Sequence, residues 1–253
     1  MAERIRDLTN AWSPDDADIL DTLREASVGE LRLLYDSSNY VFLAELEHPE
    51  HGTGLAVYKP QRGERPLHDF TYGTLHRREV ATYELSRLLG WPMVPPTVER
   101  DGPEGLGSVQ LFIEHDPAEH FFALRDREDL HEQFMRMAAF DLVANNADRK
   151  GGHILLDARG RVWGIDQALC FHHHEKLRTV IWDFAGAELP DGWRADLERA
   201  HDAMRDRDAS SEPLRAFLTD AESDAFVERT AQLLASPVLP EMYPWRCVPW
   251  PMI

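Results

Sequence analysis

Three side chains stand out by type and spacing: Asp148, His153 and Asp166. Asp148 lies in the polar, glycine-bearing stretch Asn145-Asn146-Ala147-Asp148-Arg149-Lys150-Gly151-Gly152-His153, and His153 follows it by five residues. Asp166 comes 18 residues after Asp148, beyond two short apolar runs (154–156 and 162–165) that are joined by the turn Asp157-Ala158-Arg159-Gly160. A loop acid, a ligand five residues on and a second acid past a hairpin together suit phosphoryl transfer. One acid orients or deprotonates an attacking hydroxyl, and the other two side chains hold a divalent cation against nucleotide phosphates. Loops with two aspartates are common, and Asp148 as a simple turn cap is the structural alternative.

Lysine usage adds a second pointer. Of 27 basic residues only Lys59, Lys150 and Lys176 are lysines, so a lysine can mark a position where arginine would not serve. Lys176 reads as a solvated position. Lys59 follows the apolar stretch Leu55-Ala56-Val57-Tyr58 and precedes Pro60, which places it on a strand at a shaped site. A further cluster, Cys170, His172 and His174, offers soft ligands for zinc at short spacing, although no fourth ligand is evident. A substrate loop or solvated histidines is the preferred reading of that cluster.

The elements that must position these residues follow from pattern. A short helix over 16–26 precedes strands over 30–35 and 40–46, which are joined by the turn-forming Asp36-Ser37-Ser38-Asn39. A glycine-bearing loop, His51-Gly52-Thr53-Gly54, leads to the strand carrying Lys59; connections this short make an antiparallel meander. Residues 75–89 form a helix with Ala81, Leu85, Leu88 and Leu89 on one stripe, ended by Gly90 and Pro92. Two more strands, 97–99 and 108–113, complete a five-strand, one-helix unit. From residue 128 the chain turns helical, with an apolar stripe of Leu130, Phe134, Met137 and Ala138 running to about Ala144. Residues 190–236 are helical and charged, and the Trp- and Pro-bearing tail from Pro240 is irregular. Asp141, one turn beyond Ala138, is expected to hydrogen-bond loop amides, and Arg149 to brace the loop.

Composition sets the bounds. The 253 residues suffice for one large domain or two packed lobes, and 43% hydrophobic with 28% charged residues is ordinary for a globular chain. No stretch approaches the roughly 20 apolar residues of a membrane span, and the first residues lack the apolar core of a secretory signal. Two cysteines make no disulfide framework, so a reducing cytoplasm is expected. A net charge of −18 without a basic run argues against nucleic-acid binding and stable membrane association.

Beyond these readings, Asn146-Ala147-Asp148-Arg149-Lys150-Gly151-Gly152-His153 resembles the D-R-x-x-x-N loop of the phosphatidylinositol 3-/4-kinase-like superfamily. The type II phosphatidylinositol 4-kinases are the nearest match, with HipA-type toxin kinases more distant. Further blocks agree in order over about residues 30–185. Ser37-Ser38-Asn39-Tyr40-Val41-Phe42 resembles the phosphate loop and Ala56-Val57-Tyr58-Lys59-Pro60 the lysine strand. Arg78-Glu79-Val80-Ala81-Thr82-Tyr83, with Leu89-Gly90 and Val94-Pro95-Pro96-Thr97, resembles the helix and its exit. Gln110-Leu111-Phe112-Ile113-Glu114 resembles the hinge, and Gly164-Ile165-Asp166-Gln167-Ala168-Leu169 the metal-binding acid and its sequel.

The resemblance implies a two-lobed, protein-kinase-like α+β fold, with an antiparallel-sheet lobe over 1–115 and a mainly helical lobe over 116–253. It implies that Lys59 neutralises nucleotide phosphates, that Glu79 pairs with Lys59, and that amides around Ser37, Ser38 and Asn39 cover the phosphates. Gln110, Leu111, Phe112 and Ile113 would meet the adenine edge, Asp148 would be the catalytic acid/base, and His153 with Asp166 would ligate metal. The implied reaction is transfer of phosphate from ATP, with Mg2+ or Mn2+, to a hydroxyl of a soluble small molecule or protein. Two features depart from the family pattern. His153 stands where asparagine is usual; imidazole is the softer ligand, so the departure implies a preference for Mn2+, a substrate contact by His153, or a degenerate nucleotide binder. Gln167 follows Asp166 where many kinases have Phe-Gly. A nucleotide-binding regulatory module without turnover, and a zinc protein or metal-dependent hydrolase built on the histidine cluster, remain the alternatives.

Overall fold

In the computed structural model, which describes residues 8–34 and 39–253, an antiparallel five-stranded sheet is followed by a mainly helical region. Helix α1 (Ile19–Glu25) precedes strands β1 (Ser27–Leu33), β2 (Phe42–His48) and β3 (Gly52–Pro60). Helix α2 (Leu75–Leu89) separates these from β4 (Thr97–Gly102) and β5 (Gly105–Leu111). The sheet order is β1-β2-β3-β5-β4, so β5 inserts between β3 and β4 and leads the chain out of the sheet beside the lysine strand. The helical region contains α3 (Phe121–Leu124), α4 (His131–Ala144), the hairpin β6 (Ile154–Leu156) and β7 (Val162–Gly164), α5 (Asp191–Arg205), α6 (Glu212–Arg215) and α7 (Asp220–Ala235).

Alternation along β3 decides which way Lys59 points. Ala56 and Tyr58 are buried on one face with Val109 and Leu111 of β5, covered by Trp12, Ile19 and Leu23 from the segment before β1. Lys59 therefore faces the opposite side, where α2 packs. Its strand partner is Ser108, and beside it Gly107 lets the backbones approach: a Cβ there would lie 2.5 Å from the Lys59 carbonyl. Helix α2 ends on Gly90 at φ +73, a left-handed cap that glycine adopts without strain. A second core packs α4, α5 and α7 together through Phe134, Met137, Phe140, Trp193, Leu197 and Phe226.

Several sequence expectations shift. The first helix is shorter, because it begins only at Ile19 after a turn at residues 17–18, and β1 starts at Ser27 rather than residue 30. The glycines at 52 and 54 open β3 instead of forming a loop; Gly52 turns at φ +67, and Gly54 lies flat against the Trp12 ring. A short 3-10 turn over Glu128–Leu130 precedes α4. Ser37 and Ser38 lie outside the described residues. Among the described residues no helix is long and apolar enough to cross a membrane.

The strap before α1 is integral to the sheet. Asn10 donates from Nδ2 to the carbonyls of Leu55 and Phe112 and accepts from the Leu55 amide, while Trp12 donates from Nε1 to the His51 carbonyl. Trp12→Ala is expected to destabilise the fold by about 3–5 kcal/mol, a large-to-small core loss, measured by urea unfolding. An unchanged midpoint would show that the strap is not part of the sheet's core.

Candidate active site

Two turns bring the distant acids together. Helix α4 closes on Asn145 in the left-handed region (φ 53), and the chain then runs through Asn146–His153 into β6. After β7 the chain reaches Asp166, also left-handed at φ 56, a conformation that Asp tolerates better than most residues. Ile165 N donates to the His153 carbonyl at 2.9 Å, which fixes the two chain segments side by side.

Beneath them lies Arg149, fully buried with all five guanidinium protons used. Nε and Nη2 grip Asp141 at 2.9–3.1 Å, Nη1 donates to the carbonyls of Ile165 and His153, and Nη2 also donates to Gln167 Oε1. Asp141 is itself fully buried and also accepts from Asn146 Nδ2 and Thr179 Oγ1. Arg149 thus braces the loop as the sequence suggests, while the Asp141 carboxylate serves side chains rather than loop amides.

Above that base, Lys59 Nζ lies 2.5 Å from Glu79 Oε1 and 2.7 Å from Asp166 Oδ1. Glu79 is buried, not solvated, and its second oxygen accepts from the Gln167 amide at 2.9 Å. One ammonium shared by two carboxylates settles the charges unequally. Burial would depress Lys59, but Asp166 and Glu79 hold it above the usual lysine range. Burial raises Glu79 despite Lys59, whereas Asp166, against the same effect of burial, is held below the usual range by Lys59 and then His153.

His153 completes the centre. Its Nδ1 lies 3.0 Å from the Asp148 carbonyl, which can only accept, so Nδ1 carries the proton. Burial pushes His153 down to about 4 despite the pull of Asp166, so the ring is neutral at pH 7. Nε2 then presents a lone pair to Asp166 Oδ2 at 3.3 Å. Two acceptors face each other with no proton between them, which is the arrangement a cation satisfies. Burial raises Asp148, with Lys150 Nζ 3.3 Å from its carboxylate acting the other way. Sequence reading did not assign Lys150 to the site; its signal was there in the scarcity of lysine. Gln167 and Thr179 were missed as well, because their contacts come from tertiary packing.

Other expected site residues lie apart from this centre. Gln110 donates its side-chain amide to Thr97 Oγ1, Leu111 N to Pro96 O and Phe112 N to Leu55 O, so these three serve the sheet, and the Ile113 carbonyl accepts from His115 Nδ1. Asn39 holds the Arg65 amide through Oδ1 and lines the same cleft as Lys59, Glu79 and Asp166. Lys176 is paired with Asp69 at 2.8 Å rather than solvated. The zinc alternative, already the less favoured reading of this cluster, fails on geometry. His172 donates from Nε2 to the Asp69 carbonyl and accepts the His174 amide at Nδ1, which uses both ring nitrogens. Burial pushes the Cys170 thiol up to about 12, so its thiolate is disfavoured. Among the described residues no group of three or more His, Cys, Asp or Glu is placed to hold a metal ion.

The chain is 38% identical to Protein Rv2133c of Mycobacterium tuberculosis strain H37Rv, over 88% of this chain and 92% of that protein. It belongs to the Rv2133c family. No protein-family model matches it. This member of the Rv2133c family shares its fold with the Golgi casein kinase, solved with Mn and ADP bound (TM-score 0.55, 15% identity, 86% of this chain and 74% of that one). It is also similar to hydra Fam20 solved with sugar (TM-score 0.52, 14% identity, 92% and 93%). The fold is kinase-like α+β, and at this coarser level the sequence resemblance holds.

Two measurements check this site. Arg149→Ala leaves Asp141 buried and unpaired, so a loss of about 3–5 kcal/mol is expected in denaturant unfolding, with Arg149→Lys restoring only part of it. His153 titrates in the folded state at about 4, below its unfolded 6.5. Between those values the unfolded chain binds the extra proton, so the His153 contribution is full above 6.5 and lost as pH falls toward 4. An imidazole NMR titration should find a neutral Nδ1–H ring at pH 6; a ring half-protonated there would contradict the assignment.

Proposed function

We propose that this chain is a kinase that transfers the γ-phosphoryl group of ATP to an alcohol hydroxyl. The observation that carries the reading is the convergence of Lys59, Glu79, Asp166, His153 and Asp148 at the junction of sheet and helical region, on a kinase-like fold. Phosphoryl transfer asks a protein mainly for positioning and charge neutralisation, and each of these groups supplies one or the other.

Two of the residues present would serve as ligands to a divalent cation, with the nucleotide phosphates completing its shell. His153 Nε2 and Asp166 Oδ2 are adjacent acceptors, the ring is oriented by its Nδ1–H bond to the Asp148 carbonyl, and a nitrogen ligand tips the preference toward Mn2+ over Mg2+. When bound, such an ion would offset the charge of the nucleotide phosphates. Lys59, held in place by Glu79, would meet phosphate oxygens on its free side. Asp148, raised by burial, is a better base than an ordinary aspartate and accepts the acceptor's proton, while Lys150 beside it faces the transferring group. With the Leu111 and Phe112 amides engaged in the sheet, recognition of the adenine edge would fall to the chain that follows them, near the lobe boundary expected at residue 115.

The Mn- and ADP-bound state of the Golgi casein kinase, whose fold this chain shares, supports the metal-nucleotide reading. The lipid-kinase resemblance supports the same reaction, while a charge of −18 and the absence of an apolar span among the described residues favour an acceptor other than a bilayer lipid.

Asp148→Asn should reduce turnover by about 10²-fold or more while leaving nucleotide affinity within about threefold, the signature of a group acting only in the transition state. Asp166→Asn should abolish metal-dependent nucleotide binding in calorimetry. Full turnover by Asp148→Asn would remove it from the catalytic role, and ADP binding without phosphate transfer to any alcohol would favour the regulatory-module alternative.

A further inference from the structure

The chain's irregular last segment is built against the catalytic loop. Met252 O accepts from the Gly151 amide at 2.7 Å, and Ile253 Cγ2 lies 3.8 Å from where a Gly152 side chain would start. Gly151 is also packed from the other side: a Cβ there would stand 2.8 Å from the Phe122 ring. The Val180 amide donates to the Arg149 carbonyl at 3.1 Å. Phe122, Val180 and Met252, all touching residues 149–151, are three walls of one pocket of about 350 Å3, with Trp182, Met242 and Val248 as the others. Two charged groups, Arg125 and Asp183, also line it.

This pocket differs in kind from the charged cleft at Lys59. Its walls are mainly apolar, its volume falls in the range that takes a small molecule, and three of its wall residues touch the segment 149–151 that follows Asp148. Met242 and Met252 remain partly open to solvent, at 55% and 42% exposure, and two thioether side chains can conform to an irregular guest. A volume of about 350 Å3 suits a small guest rather than an extended peptide.

Resting on the kinase reading above, we propose that this pocket is the acceptor site and that the acceptor is a small alcohol with an apolar or aromatic body. The body would lie among Phe122, Trp182 and the two methionines, with its hydroxyl directed to Asp148. The alcohol oxygen forms a bond to the γ-phosphorus as the bond to the β–γ bridging oxygen breaks. ADP leaves with that electron pair, and the alcohol proton passes to the Asp148 carboxylate.

The test uses 2-phenylethanol as the probe, glycerol as the polar control, and the full chain with Mn2+. Three readouts are taken on the unmodified protein and on Met242→Asp and Met252→Asp, whose partly exposed side chains make misfolding a small risk. They are ADP binding by calorimetry, saturation-transfer NMR of each alcohol, and transfer of labelled phosphate from ATP. The expected result is saturation of 2-phenylethanol but not glycerol, phosphorylation of the former, and about a tenfold weakening of both in the variants with ADP binding retained. ADP binding together with equal treatment of both alcohols, or with variants that behave like the unmodified protein, overturns the acceptor assignment and leaves the kinase reading standing. Absence of metal-dependent ADP binding overturns the kinase reading itself, and the acceptor assignment with it.

Discussion

The buried Arg149–Asp141 pair is the constraint on which the site depends. Neither side chain reaches solvent, and a guanidinium with an unused proton at that depth would be strongly unfavourable. Every proton is used, and the partners decide the geometry: Asp141 on α4, the carbonyls of His153 and Ile165, and Gln167 just past Asp166. One planar fork thereby sets the distance between the loop carrying Asp148 and the turn carrying Asp166. A lysine could neutralise Asp141, but three donors on one nitrogen do not span the four partner residues that the five-donor Arg149 fork reaches.

On that base, a second set of charges is left deliberately incomplete by the fold. Lys59 is shared between Glu79 and Asp166, and Asp166 also faces the bare Nε2 of His153. Glu79 is sequestered on α2 and tied to the Gln167 amide, so it is the permanent partner of the lysine. Asp166 is the exchangeable one, with its side chain 46% exposed at the cleft. On the kinase reading proposed above, an arriving cation and its phosphates would take over Asp166 and part of Lys59 without disturbing the Arg149 base. The rigid lower network and the open upper one divide the work between positioning and binding.

Much of this was legible in the sequence because local chemistry carries it. Leu75–Leu89 announced itself by its leucine stripe and Gly90 cap, the β6–β7 hairpin by its turn, and Lys59 by its strand context before Pro60. The order β1-β2-β3-β5-β4 was less accessible, since the insertion of β5 rests on pairing across about 50 residues of chain. Periodicity alone, which puts Glu79 off the leucine stripe, reads it as a solvated helix glutamate; it is buried because α2 is covered on nearly all sides rather than along one stripe. In the histidine cluster His173 and His174 are exposed, in line with the solvated reading, whereas His172 is buried and spent on the backbone of Asp69, a residue more than 100 positions earlier. The hinge main chain proved to belong to the sheet because Asn10, far upstream, extends the hydrogen bonding of β3 and of Phe112.

The central claim is that a neutral His153 and Asp166 jointly hold a divalent cation against a nucleotide. Electron spin-echo spectroscopy of the Mn2+–ADP complex tests it most directly, because a ligating imidazole imprints nitrogen modulation on the manganese signal. The account predicts nitrogen modulation in the unmodified protein and its loss in His153→Asn, with Mn2+–ADP still bound. Mn2+–ADP bound with the same spectrum in both proteins would contradict it.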